Sequence, residues 1–129
     1  MLVAFGGALG AVLRYLVVGL ASAASWQPWG TWVVNVIGCF AIGSIVEIYS
    51  DKPWFDEWAR PIVVIGLLGG FTTFSAFSLD AVNLLNSPKY MTGVFYIIAS
   101  VVSCLLGTLV GMRISVSYTH LTLPTILLV

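Results

Sequence analysis

The sequence predicts an all-α membrane protein of four transmembrane helices, and three observations carry that prediction. Hydrophobic residues fill 60% of the 129 positions and charged residues 8%, whereas about a quarter of an ordinary soluble domain is charged. Four apolar runs each approach the roughly 20 residues needed to cross the hydrocarbon layer at about 1.5 Å rise per residue. Long stretches hold no ionised side chain, so the surplus apolar surface must face lipid, in keeping with a mean hydropathy of +1.06.

The first run, residues 2–24, ends at a turn of Ser25, Trp26, Gln27, Pro28, Trp29 and Gly30. It lacks a basic leader and is interrupted by Arg14, so a retained helix is expected rather than a signal peptide. The second run, residues 31–49, stops at Ser50-Asp51-Lys52-Pro53. The loop that follows gathers Asp51, Lys52, Asp56, Glu57 and Arg60, with Tyr49, Trp54 and Trp58 placed as headgroup-level anchors. The third run, residues 61–85, opens on Pro61, a residue favoured in a first helical turn, and is broken by Asn86-Ser87-Pro88-Lys89. The fourth, residues 92–112, is closed by Arg113. Glycines recur in all four, and packing of helix backbones is the plain reading of most of them.

One membrane domain over residues 1–113 is therefore expected. Residues 114–129 differ in texture, alternating polar with apolar and carrying Pro124. They read as an edge-strand-like tail, a disordered end or foreign sequence, with the last preferred, and His120 within them receives no functional role.

Net charge is zero with no basic or acidic run, which gives no electrostatic reason to expect a nucleic-acid partner. Cys39 and Cys104 sit inside apolar runs, away from any disulfide or zinc spacing, and read as small core residues. On alternate sides of the bilayer, Lys52, Arg60 and Arg113 fall with the N-terminus and Lys89 opposite. So weak a bias is compatible with insertion in both orientations.

Polar groups within a span are costly and mark function by default. Arg14 lies midway along the first run, where it either attracts an anion or ties its helix to the carbonyl end of another. In the third run, Gly69-Gly70 followed by Thr72-Thr73 lowers helix propensity, and a break near residues 69–73 is expected. At membrane depth such a break is tolerated where protein, water or an ion satisfies the freed groups. Beyond it, Phe74 and Phe77 share one helical face, with Ser75 and Ser78 on a neighbouring one. Aromatic ring edges carry partial positive charge, so a small hard anion could pass between ring edges and hydroxyls, although plain packing is the usual role of such a pair. Asn35 is a membrane-buried amide that can serve an anion or a helix contact. Tyr96, Ser100 and Cys104 form a stripe at four-residue spacing. Thr31 and Asp80, toward run ends, are candidates for vestibules.

Three strings, Gly6-Gly7-Ala8-Leu9-Gly10-Ala11-Val12-Leu13-Arg14-Tyr15, residues 30–40 around Asn35, and residues 66–78 with Gly69-Gly70-Phe71-Thr72-Thr73-Phe74-Ser75, resemble the CrcB/Fluc family of fluoride channels in order and spacing. The resemblance implies an antiparallel, dual-topology homodimer with two fluoride pores in a bacterial or archaeal inner membrane. It implies a structural sodium ion held by backbone carbonyls of the third-helix break, at Gly69 and Thr72. It also implies a pore bordered by Asn35, Phe74, Ser75, Phe77, Tyr96 and Ser100, with Arg14 as the basic residue of the first helix. Ala76 stands where many relatives carry Thr, and Cys104 where Ser is common, so neither is carried over as a fluoride ligand. Passive export of cytoplasmic fluoride is the expected activity, and no hydrolytic or redox constellation points to an enzyme. The alternatives are a proton-coupled exporter of the small multidrug-resistance type and a packing subunit without transport. The exporter needs a membrane-buried carboxylate, yet the first run offers Arg14 and no acid, and Glu47 and Asp80 lie near run ends.

Overall fold

The fold is known from a computed structural model that describes residues 1–126, with side chains described through residue 118. His120 lies outside the described side chains. Helix α1 (Leu2–Ala23) and helix α2 (Trp29–Tyr49) cover the first two apolar runs. The third begins as a π-helical segment, Phe55–Leu68, continues as the short α3 (Gly69–Phe71) and, after two residues, as α4 (Phe74–Leu85). Helix α5 (Tyr90–Ile126) forms the fourth. Among the described residues there is no strand, and four stretches are long and apolar enough to cross a membrane.

Two helix boundaries differ from the sequence expectation. The third segment is helical from Phe55 rather than from Pro61, which lies inside it. Asp56 and Glu57 in its first turn complement the positive end of the backbone dipole, and Arg60 Nε reaches Asp56 Oδ1 at 3.0 Å. Wide π turns leave room for the Pro61 ring and its missing N–H, which an ordinary helix interior does not. The fourth helix likewise continues past Arg113, to Ile126. Ser115 Oγ follows the helical path there, donating to the Gly111 carbonyl at 2.8 Å.

The helices pack as two main pairs, α2 against α5 and α1 against the π-helical segment and α3. Glycine makes both pairs close. Gly66 meets Gly6 and Gly7 of α1, Gly70 meets Gly7 and Ala11, and a Cβ on Gly10 would collide with the Leu67 carbonyl. In the other pair, a Cβ on Gly43 would strike the Thr108 carbonyl and one on Gly111 the Phe40 carbonyl. Without a hydrophobic drive between helices in lipid, such backbone proximity is what holds them together. Phe77, Ala81 and Tyr96 form a buried cluster where α4 meets α5, flanked by Trp29 and Trp32 of α2.

Candidate functional site

The site centres on Thr72 and Thr73, whose backbones are extended (φ −81°, ψ 154° and φ −152°, ψ 115°) between the helical residues on either side. Gly69, by contrast, is helical (φ −62°, ψ −37°). The β-branched threonines adopt the extended conformation their side chains favour, while Gly70 packs against Gly7 and Ala11 of α1.

Every group around these two residues is redirected. Thr72 stays tied to the preceding turn, its N–H and its Oγ1 both donating to the Leu68 carbonyl at 2.9 Å. Thr73 turns to α2 instead: its N–H donates to Asn35 Oδ1 at 2.7 Å, and its carbonyl accepts from Asn35 Nδ2 at 3.0 Å. One side-chain amide thus mimics a strand partner for one residue of extended backbone. Thr73 Oγ1 then accepts the Ala76 N–H at 3.2 Å and caps α4, with Ser75 Oγ 3.2 Å away. Arg14 Nε donates to the Gly70 carbonyl at 3.0 Å. Of the two roles open to Arg14 in the sequence, the structure supplies the tie to a carbonyl end.

These diversions expose two main-chain oxygens. In a continuous helix the Gly69 carbonyl would accept from Thr73 N–H and the Thr72 carbonyl from Ala76 N–H. Those donors are held by Asn35 Oδ1 and Thr73 Oγ1. Oxygens of this kind suit a hard cation. A single chain offers two at this point, so the residues fit such an ion when a second copy brings its own pair.

A cavity of about 410 Å³ opens beside the threonines, and its wall includes Asn35, Gly69, Thr72, Phe74, Phe77 and Ser100. A second, of about 480 Å³, lies toward α1, bordered by Arg14, Tyr15, Ser22, Thr73 and Ala76. Phe74 and Phe77 have ring centroids 5.3 Å apart and inclined at 48°. They differ in setting, Phe74 being 78% exposed and Phe77 9%. Phe77 packs on Tyr96 with centroids 5.5 Å apart. Ser75 is on the exposed side of α4 and does not border the main cavity.

Two hydroxyls stand out on α5. Tyr96 is 0% and Ser100 4% exposed, yet neither Tyr96 Oη nor Ser100 Oγ has a hydrogen-bond partner. Thr31, Asp80 and Ser100 lie around the Tyr96 hydroxyl. Buried polar atoms are nearly always paired, so these two hydroxyls are exceptions, and Ser100 stands on the wall of the main cavity.

Thr73 is the residue that sequence reasoning undervalued, since it borders both cavities and organises the joint. Its signal was a Thr immediately before a helical run, the usual place for a cap. Thr108, whose hydroxyl links α5 to the Cys39 carbonyl at 3.1 Å, gave no comparable signal.

Residues 1–112 match the family model described as CrcB-like protein, Camphor Resistance (CrcB). Among curated proteins, one of Rhizobium meliloti named fluoride-specific ion channel FluC is 47% identical over 117 residues, covering 88% of this chain and 93% of that protein. Proteins of the same name from Rhizobium johnstonii and Hahella chejuensis are 46% and 41% identical over 116 and 115 residues. The alignments cover 88% of this chain in both cases, with 93% and 91% of the relatives.

Proposed function

This chain belongs to the CrcB-like family, and on that premise we propose that it is a fluoride-selective ion channel, not an enzyme, that lets cytoplasmic fluoride leave passively and so protects the cell. The observation that carries this reading is the pair of buried, unpartnered hydroxyls of Tyr96, which packs on the Phe77 ring, and Ser100, which lines the main cavity together with Phe77. Fluoride is small and strongly hydrated. A pore that passes it must offer donors in succession, each able to replace part of the water shell yet weak enough to release the ion. Ser100 and Tyr96 offer O–H groups, and Phe74 and Phe77 offer ring edges. Asn35 holds the extended backbone with its amide, and its second N–H is still available to the ion. Ser75 extends the hydroxyl track on the exposed side of α4. No observation favours the proton-coupled exporter.

The working unit in this reading is an antiparallel, dual-topology homodimer in the inner membrane. The weak charge bias of the loops supports it, as does the exposure of Phe74 at the edge of the cavity. Two copies also bring together four main-chain oxygens, those of Gly69 and Thr72 from each chain, as ligands for a structural sodium ion. The ion supplies fixed positive charge, and Arg14, anchored on Gly70, adds to it from the α1 side.

Reconstitution into liposomes with external fluoride followed by an electrode tests the proposal. Rapid fluoride efflux with little chloride efflux is expected, and absence of fluoride flux from correctly inserted protein overturns it. Phe77→Ile is expected to reduce flux while the dimer, measured by size-exclusion chromatography with light scattering, persists. Unchanged flux in that variant removes the ring edge from the mechanism.

A further inference from the structure

The two cysteines, which the sequence presents as unremarkable small residues, come together in the main cavity. Cys39 on α2 and Cys104 on α5 both border it, and both thiols are free. The hydroxyl of Thr108 donates to the Cys39 carbonyl at 3.1 Å and to the Cys104 carbonyl at 3.2 Å, which brings the two backbones to a single hydroxyl. Gly107 thins α5 at the same level, where an added Cβ would lie 3.9 Å from the Cβ of Cys39. Both side chains are half-buried on the wall of that one cavity, where α2 packs against α5.

We propose that Cys39 and Cys104 form a two-thiol site in the cavity wall that binds a divalent thiophilic metal ion of the Hg2+ type. Binding forms two metal–sulfur bonds and releases two thiol protons to water, because the thiolate is the ligand. A divalent ion with two thiolates is neutral, so the complex carries no net charge into an apolar setting. A monovalent soft ion would leave one uncompensated negative charge there. Zinc asks for four ligands in a tetrahedral arrangement, and the described residues contain no cluster of three or more His, Cys, Asp or Glu. Two soft donors with no third ligand therefore select a two-coordinate divalent ion. The site shares its cavity with Asn35, Thr72 and Ser100, so an ion held there obstructs fluoride passage. That last consequence rests on the channel reading; the binding site itself does not.

The experiment titrates Hg2+ into the purified, detergent-solubilised full chain, reading mercury–thiolate ultraviolet absorption and the thiols left for maleimide labelling. One Hg2+ per chain that removes both thiols from labelling is expected. One Hg2+ per thiol, or no binding, overturns the site, and this arm needs no variant. Cys39→Ser and Cys104→Ser are each expected to weaken binding by about a hundredfold, the advantage of a second tethered ligand. Equal affinity in either single variant overturns the shared site. In liposomes, one equivalent of Hg2+ is expected to cut wild-type fluoride flux at least about tenfold, with recovery on adding a dithiol chelator. Binding without loss of flux overturns the obstruction alone, whereas a chain that never conducts overturns the channel reading and leaves the titration interpretable.

Discussion

The joint at Thr73 and the α5 wall opposite it treat polar groups in opposite ways. At the joint the redirected donors are taken up: Asn35 serves both the N–H and the carbonyl of Thr73, Thr73 Oγ1 takes the Ala76 N–H, and Arg14 takes the Gly70 carbonyl. On α5 the hydroxyls of Tyr96 and Ser100 are as deeply buried and have no partner. A satisfied buried group is spent on structure, whereas an unsatisfied one costs stability. Asn35 is accordingly a positioning residue in the fold, and in the proposed channel the two unpaired hydroxyls are the donors left for an anion.

Substitutions on the two sides sharpen that contrast. The largest effect is expected from Asn35→Ala, which strands both polar groups of Thr73 and costs ~4 kcal/mol at about 1–3 kcal/mol per buried orphan. Thermal unfolding in detergent and fluoride efflux should fall together. A variant as stable as wild type would mean that Thr73 finds another partner and that the joint is not held by this amide.

Ser100→Ala and Tyr96→Phe are expected to split the two readouts. Each removes an oxygen that makes no well-formed hydrogen bond in the fold, so stability should stay within ~0.5 kcal/mol or rise. Flux should drop by about tenfold, the equivalent of ~1.4 kcal/mol of lost ion stabilisation. Destabilisation without loss of flux would break the comparison by making these hydroxyls structural. Thr73→Val, the smallest expected change, keeps the shape and removes the α4 cap at a cost of about 1 kcal/mol. A lower melting temperature with only a modest loss of flux is the expected outcome, and no change in melting would show that the cap is dispensable.

Much of the fold was legible in the chain, and the reason varies from residue to residue. The apolar runs announced the helices because crossing hydrocarbon sets a length that a local stretch either meets or does not. The threonines were legible as helix-breaking neighbours of Gly69-Gly70, but not as the extended residues themselves, since Gly69 stays helical and Gly70 spends its small size on contact with α1. Pro61 misled about the start of the third helix because π turns accommodate it. Arg14 and Asn35 were recognisable as costly groups in need of partners, with the partner left open.

What the sequence determined by itself is the solvent: 60% hydrophobic residues in four spanning runs require lipid, because a local excess of apolar surface has nowhere else to go. What only the tertiary structure decided is which polar groups are answered. Asn35 meets Thr73 and Arg14 meets Gly70 across 38 and 56 positions of chain, and Ser100 meets no one. Hydrogen bonding is short-ranged and directional, so it is settled only when helix packing has placed donor and acceptor within reach.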